Sequence, residues 1–269
     1  MSVVSFSVSK RIATIRMHDP ERRNALGEAM LRELCAAFDA IDPEVRAVVL
    51  RSGPEDKVWC AGFDIGALGP GRDPLAQAGV LQGLFRRVRA CHAPVIGMLH
   101  GSAWGGGTDL ALRCDLLVGD ETASLAFTPA RLGLPYDADG LLNAMLRAGP
   151  ALAMEMFATA EPVLASRAAA AGLLNRLVAA EALEEEVYGM ARRIADNAPM
   201  TVTSAKRHLQ ALAAAMPLPA ALQLPAATQL PAATAQSLQD GRRAALDSAD
   251  YAEGLAAFRE KRAPKFSGA

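Results

Sequence analysis

Short apolar runs alternate with helical patterns along the first half of the chain. Runs rich in β-branched and apolar residues predict strands at residues 3–8, 12–17, 47–50, 95–99 and 116–118. Between the second and third runs, Met30, Leu34, Phe38 and Ile41 recur at helical spacing, and Asp42-Pro43 ends that helix. Strands that alternate with helices predict βαβ units, and hence an α/β fold with a largely parallel sheet.

From about Gly140 onward the pattern is almost entirely helical and is rich in Ala, Leu and Arg. The sequence therefore predicts an α/β core at residues 1–198 and a helical C-terminal region at 199–269. Residues 216–236 carry prolines at a density that breaks a continuous helix, and they contain a near-repeat of Leu-Pro-Ala-Ala-Thr. This segment is interpreted as a tolerated local duplication, with a specialised lid as the alternative.

Composition excludes several classes of protein. The chain has 269 residues, of which 51% are hydrophobic and 21% charged, values typical of a globular protein. Its net charge of −1 provides no basic field for nucleic acid. The 4 cysteines are widely spaced, which argues against a disulfide framework or a metal site. No run approaches the ~18 apolar residues of a membrane span. We expect a cytoplasmic protein that binds no metal, nucleic acid or membrane.

Two glycine-containing turns are the strongest chemical signal in the sequence. Gly105, Gly106 and Gly107 follow the fourth apolar run, where they allow close backbone approach and open a helix with bare N–H groups. Gly62 and Phe63 make a similar turn after the third run. Main-chain amides from two such turns can converge on one oxygen. The pattern therefore predicts an oxyanion hole formed by the N–H groups of Phe63 and Gly106.

With these turns the chain resembles the crotonase, or enoyl-CoA hydratase/isomerase, superfamily. The matching stretches are Arg23-Asn24-Ala25-Leu26, the segments 61–65 and 101–115, Leu132-Gly133-Leu134-Pro135, Ala171-Gly172-Leu173, and residues 254–266. The resemblance implies a crotonase-type spiral of ββα turns with a helical C-terminal region. It also implies an acyl-CoA substrate, no permanently bound cofactor beyond the coenzyme A of that substrate, and a homotrimer or homohexamer with residues 199–269 as the trimerisation region.

The resemblance also assigns residues to coenzyme A. Arg23 would lie near the phosphates, where a guanidinium suits oxyanions. The adenine would lie against the backbone near Ala61, Asp64 and Ile65. Lys265 would reach a phosphate or ribose of its own ligand or of a neighbouring subunit's ligand.

Two positions distinguish this chain from the hydratases of the superfamily, which use two glutamates to activate water. Asp109 stands at the first position and Ala130 at the second, and alanine transfers no proton. The Pro135-Tyr136 pair resembles the superfamily's methylmalonyl-CoA decarboxylases, although Phe63 replaces a histidine of that group. This likeness implies that Tyr136 orients the substrate carboxylate, that carbon dioxide leaves, and that the hole stabilises the enolate.

Asp137 leaves a further alternative open. Isomerases and dehalogenases of the superfamily place a working aspartate near this position, where it would move a proton or attack as a nucleophile. The same residue could instead cap the helix that starts near Gly140. We therefore predict an acyl-CoA lyase that decarboxylates a malonyl- or methylmalonyl-type thioester. The alternatives are an enoyl-CoA hydratase or isomerase that uses Asp109 and Asp137, and a non-catalytic acyl-CoA-binding scaffold.

Overall fold

The computed structural model describes residues 2–65, 74–215, 236, 240–241 and 243–267. Apart from Gln236, the proline-rich segment 216–236 lies outside these residues. The strands in the described part are β1 (Val4–Ser9), β2 (Ile12–Met17), β3 (Ala47–Arg51), β4 (Val58–Cys60), β5 (Val95–Leu99), β6 (Ser102–Trp104), β7 (Leu116–Asp120), β8 (Ser124–Ala126), β9 (Val163–Leu164) and β10 (Arg176–Val178). The helices are α1 (Glu28–Asp39), α2 (Pro74–Ala90), α3 (Gly106–Arg113), α4 (Ala138–Thr159), α5 (Ala165–Ala170), α6 (Leu183–Asp196), α7 (Pro199–Ala215) and α8 (Ala249–Glu260).

A six-stranded sheet in the order β1-β2-β3-β5-β7-β10 forms the centre of the fold. The β1–β2 pair is antiparallel and every other neighbouring pair is parallel. Strands β3 and β5 are buried along their whole length, because each lies between two parallel neighbours. Val187 and Met190 of α6 pack on Val49 and Ile96 of the sheet. The predicted α/β class, the parallel sheet and the five predicted strands are confirmed.

A second sheet, of order β4-β6-β8-β9, carries the chain into the two glycine turns. None of its strands was expected from the sequence, since each has only two or three residues. Strand β10 also contradicts the expectation that the chain is almost all helix beyond Gly140. Arg176-Leu177-Val178 is too short to give a periodic signal, and only its pairing with β7 makes it a strand.

The chain divides into two compact units that are both discontinuous. One comprises 1–126 with 162–206, and the other comprises 127–161 with 207–269. The predicted boundary between residues 198 and 199 stays a prediction. In the second unit α8 packs directly on the turn at Pro129–Leu132, and a Cβ on Gly254 would lie 2.3 Å from the Leu132 carbonyl oxygen. This contact joins 127–161 to the C-terminal residues.

Candidate active site

The first glycine turn follows β4. Gly62 has a positive φ of 82°, and a Cβ there would lie 2.3 Å from the Trp104 carbonyl oxygen, so the position requires glycine. The Gly62 carbonyl accepts a hydrogen bond of 2.7 Å from the Leu26 amide. In a planar trans peptide the C=O and the following N–H point in opposite directions. The bond from Leu26 therefore directs the Phe63 N–H away from the Leu26 segment.

The second glycine turn lies between β6 and α3. Gly105 precedes the helix with φ 50° and ψ −115°, a conformation that glycine adopts without a side-chain clash. Its carbonyl accepts a hydrogen bond of 3.0 Å from the Asp109 amide. The Gly106 N–H belongs to the same peptide unit and so points out of the helix N-terminus. Gly106 is the first residue of α3, where the amide has no acceptor within the helix and the helix dipole favours negative charge.

The structure brings these two turns together. A Cβ built on Gly62 would lie 3.0 Å from the Gly106 nitrogen, and one built on Gly106 would lie 3.4 Å from the Phe63 nitrogen. The side chains of Leu26 and Leu81 approach the same Gly106 position at 3.6 and 3.8 Å. The N–H groups of Phe63 and Gly106 thus lie side by side among apolar side chains. Each is oriented by the hydrogen bond that the carbonyl of the same peptide unit accepts.

Close packing beneath the turns explains the third glycine. A Cβ on Gly107 would lie 2.6 Å from the carbonyl oxygen of Cys60, so α3 rests directly on the end of β4. The Thr108 hydroxyl donates to the Ala103 carbonyl at 2.8 Å, which ties α3 to β6. Burial raises the pKa of the Cys60 thiol to about 12. This thiol therefore stays protonated at neutral pH and serves packing rather than nucleophilic chemistry.

Asp109 lies in a buried ion pair with Arg113. The Arg113 Nε and Nη2 atoms lie 3.1 and 3.4 Å from the two carboxylate oxygens, and the side chains are 2% and 1% exposed. The Arg113 guanidinium also stacks over the Phe85 ring at 4.5 Å. Arg113 was not among the predicted site residues, although its i, i+4 spacing from Asp109 was a readable signal. Asp109 was predicted as a candidate catalytic carboxylate, and this ion pair was not part of that prediction.

Tyr136 and Asp137 belong to the second unit. The Tyr136 ring packs edge-on against Phe127 at 5.3 Å and obliquely against Phe157 at 5.1 Å, and those two phenyl rings stack at 4.3 Å. Asp137 is the N-cap of α4, where its carboxylate accepts from the Gly140 amide at 2.9 Å. This contact supports the capping alternative for Asp137. Ala130 lies in the turn at Pro129–Leu132.

The residues expected to bind coenzyme A fall into two groups. Arg23 and Ala61 are adjacent, since the Ala61 amide donates to the Arg23 carbonyl at 3.0 Å. Asp64 follows in the same segment, where it pairs with Arg22 at 3.3 Å. Ile65 is the last described residue before the gap at 66–73.

Lys265 lies in the second unit. It is exposed, and its backbone amide donates to Glu253 Oε1 at 2.8 Å. Glu253 also accepts from the Arg262 guanidinium, and these bonds lower the pKa of Glu253 to about 2. Glu253 thus fixes the backbone of the segment that carries Lys265.

Within the described residues, no three or more of the His, Cys, Asp and Glu side chains gather in a way that could hold a metal ion. Among the described helices, none combines the length and the apolar character that crossing a membrane requires.

The enoyl-CoA hydratase/isomerase family profile matches residues 7–269, and the chain belongs to this family. It is 34% identical over 260 residues to the methylmalonyl-CoA decarboxylase of Escherichia coli strain K12, covering 96% of this chain and 95% of the relative. It is also 34% identical over 270 residues to a putative enoyl-CoA hydratase of Thermus thermophilus, covering 95% and 97%. The structure of a methylmalonyl-CoA decarboxylase in complex with 2-nitronate-propionyl-CoA superimposes with a TM-score of 0.91 at 33% identity, over 99% of each chain.

These likenesses confirm the crotonase resemblance and the crotonase fold. The protein is an acyl-CoA-processing member of the enoyl-CoA hydratase/isomerase family.

Proposed function

We propose that the protein is a carboxy-lyase that decarboxylates a methylmalonyl-CoA-type thioester. The observation that carries this proposal is the buried ion pair between Asp109 and Arg113. Hydration needs a group that takes a proton from water and a group that gives one to carbon. Here one of the two expected carboxylates is held by an arginine and the other is replaced by Ala130. Decarboxylation requires neither group for the activation of water.

The reaction needs a place for an electron pair. When the bond between the α-carbon and the carboxylate breaks, carbon dioxide leaves and its bonding pair moves into the thioester, which becomes an enolate. The negative charge develops on the thioester oxygen, which the amides of Phe63 and Gly106 would hold. One such donor contributes ~3 kcal/mol to transition-state stabilisation. The enolate then takes up a proton at the α-carbon, which yields a propionyl-type thioester.

Further residues complete the proposed site. Arg23 would bind phosphates of coenzyme A, with adenine against the backbone of Ala61, Asp64 and Ile65. Tyr136 would orient the carboxylate that is lost, as its likeness to the decarboxylases implies. Coenzyme A would enter and leave as part of the substrate rather than remain bound as a cofactor. Lys265 would contact the ligand of its own subunit or of a neighbour in a homotrimer or homohexamer, a state that analytical ultracentrifugation measures.

A second candidate function is enoyl-CoA hydration or isomerisation. It is favoured by the likeness to a putative enoyl-CoA hydratase and by the carboxylate that Asp109 retains at the first position. In that reaction Asp109 would take up a proton beside the Arg113 guanidinium, which stabilises its charged form.

One experiment separates the candidates. The purified protein is incubated with methylmalonyl-CoA and, separately, with crotonyl-CoA, while carbon dioxide release and loss of the conjugated double bond are followed. We expect carbon dioxide from the first substrate and little change in the second. Rapid hydration of crotonyl-CoA without any carbon dioxide from methylmalonyl-CoA would overturn the proposal. Tight binding of both thioesters without turnover would instead identify a non-catalytic acyl-CoA binder.

A further inference from the structure

A buried asparagine links the segment before α1 to the strand that leads into the first glycine turn. Asn24 is fully buried, and its Oδ1 accepts a hydrogen bond of 2.7 Å from the Asp19 amide. Its Nδ2 donates to Asp56 Oδ2 at 3.1 Å and to the Val58 carbonyl at 3.3 Å. Val58 is the first residue of β4. The Asn24 side chain therefore joins two chain segments that are distant in sequence.

The backbone at this point is strained. Arg23 and Asn24 have φ values of 52° and 54°, so two consecutive non-glycine residues are left-handed. This conformation is unfavourable for L-residues, although asparagine tolerates it better than most. Such outliers persist where the surrounding structure holds them, and here the hydrogen bonds of Asn24 supply that constraint.

The strained pair determines how the next residues meet the first glycine turn. On one side of Asn24 the Arg23 carbonyl accepts from the Ala61 amide at 3.0 Å. On the other side the Leu26 amide holds the Gly62 carbonyl at 2.7 Å. Since the Gly62 carbonyl and the Phe63 N–H belong to one peptide plane, the direction of the Phe63 N–H depends on where Leu26 is held.

Asp56 holds Asn24 from the opposite side. Its Oδ2 accepts both from Asn24 Nδ2 and from the Gly53 amide at 2.8 Å, and the residue is buried. Hydrogen bonds from two N–H donors to a carboxylate are charge-assisted, and together they define the orientation of the carboxylate. Asp56 therefore fixes the orientation in which Asn24 reaches Val58.

We propose that Asn24 and Asp56 are a pair of positioning residues that aim the Phe63 N–H at the anionic oxygen of the bound acyl group. Neither side chain contacts the substrate; both act through Leu26 and Gly62. The inference rests on the proposed function in one respect, namely that the ligand carries an enolate-like charge at this site. Losing the pair should weaken binding of an anionic acyl group more than binding of its neutral counterpart.

The test compares two ligands on each variant by calorimetry. The anionic probe is 2-nitronate-propionyl-CoA and the neutral probe is propionyl-CoA. The ratio of their dissociation constants reports stabilisation of charge at the oxyanion site. Asn24→Asp keeps the acceptor for the Asp19 amide but removes the donor to Val58 and opposes two carboxylates. We expect the preference for the nitronate to fall about tenfold, less than the full loss of one oxyanion donor.

The double variant Asn24→Asp with Asp56→Asn exchanges the donor and the acceptor between positions 24 and 56, while the bond to the Val58 carbonyl is not restored. It should recover the preference to within about threefold of the wild type, which a general loss of packing would not predict. Asn175→Asp is the matched control. Asn175 Oδ1 accepts from the amide of Leu117, a residue distant in sequence, at 2.7 Å, and aspartate keeps this acceptor. This control should retain the wild-type ratio.

A folded Asn24→Asp protein with the wild-type ratio, or a double variant no better than the single one, overturns the proposal. If Asn24→Asp does not fold, the same ratio is measured on Asp56→Ala, where a wild-type value has the same meaning. Failure of the proposed function is a separate result. In that case the wild type releases no carbon dioxide from methylmalonyl-CoA, whereas the binding ratio needs no turnover.

Discussion

Arg113 holds Asp109 across one turn of α3, with both side chains almost completely buried. The Arg113 guanidinium also stacks on Phe85 of α2, so the ion pair links the two helices. The helix whose first amide is Gly106 is thereby fixed at its C-terminal end as well as at its glycine turn. The ion pair therefore holds α3 in place, and this role does not depend on which reaction the protein catalyses.

Replacing Arg113 alone should destabilise the protein strongly. Arg113→Met leaves the Asp109 carboxylate buried without its main partner, which typically costs about 3–5 kcal/mol. The double variant Asp109→Leu with Arg113→Met removes both charges and should recover most of that loss. Urea unfolding of the three proteins measures the free energies of unfolding. A double variant as unstable as the single one would show that the arginine acts mainly through its stacking on Phe85.

Gly106 and Gly107 should respond differently to the same substitution. In Gly106→Ala the new methyl would lie 3.4 Å from the Phe63 nitrogen, an ordinary contact, but it would stand beside both amide donors. We expect turnover of methylmalonyl-CoA to fall by about 100-fold or more, with the melting temperature nearly unchanged.

Gly107→Ala serves as the matched comparison. Its methyl would lie 2.6 Å from the Cys60 carbonyl oxygen, a distance that forces α3 away from β4. This variant should unfold at a lower temperature than Gly106→Ala. Equal activity of Gly106→Ala and the wild type would remove Gly106 from the proposed site.

Tyr136→Phe tests the hydroxyl without disturbing the ring. Phenylalanine keeps the ring that packs against Phe127 and Phe157. If Tyr136 orients the departing carboxylate, kcat for decarboxylation should fall by at least about tenfold. Steady-state kinetics with methylmalonyl-CoA measure the effect.

Asp137→Asn is the neighbouring control. Asparagine caps a helix about as well as aspartate, so the bond to the Gly140 amide is retained while the charge is removed. We expect almost unchanged decarboxylation. A loss as large as that of Tyr136→Phe would instead support the catalytic alternative for Asp137.

The segment around Lys265 should loosen only in strong acid. Arg262 and the Lys265 amide hold the pKa of Glu253 at about 2, below its ordinary value of 4.5. The contribution of a carboxylate with a lowered pKa is complete above the unfolded value and is lost as the pH falls through the folded value. The NMR shift of the Lys265 amide should therefore titrate with a midpoint near pH 2. Glu253→Gln should abolish this titration, and a midpoint near 4.5 in the wild type would contradict the contact.

The sequence predicted the parallel sheet because its strands are continuous apolar runs, such as Val95–Leu99. It also predicted the adjacency of Phe63 and Gly106, since glycines at the ends of strands mark close backbone approach. Strands of two or three residues, such as β9 and β10, carry no periodicity and depend on pairing with distant segments. Pairing of this kind is decided by tertiary structure.

The site residues divide in the same way. Gly62 and Gly107 were recognisable in the sequence, because glycine marks positions where the backbone has a positive φ or approaches another segment closely. Helical spacing indicates that Arg113 can pair with Asp109. The large effect of this ion pair on stability depends on its burial, which the sequence does not show. The hydrogen bonds of Asn24 to Asp56 and Val58 connect residues more than thirty positions apart, and no local pattern predicts them.

A main-chain hydrogen-bond donor is supplied by the fold and does not depend on the identity of one side chain. The amide at position 63 persists through every replacement except proline, which lacks the N–H. The side chain at this position can therefore be replaced without loss of the N–H donor. A change of the side chain at position 63 can alter the acyl groups that fit while the donor to the anionic oxygen is kept.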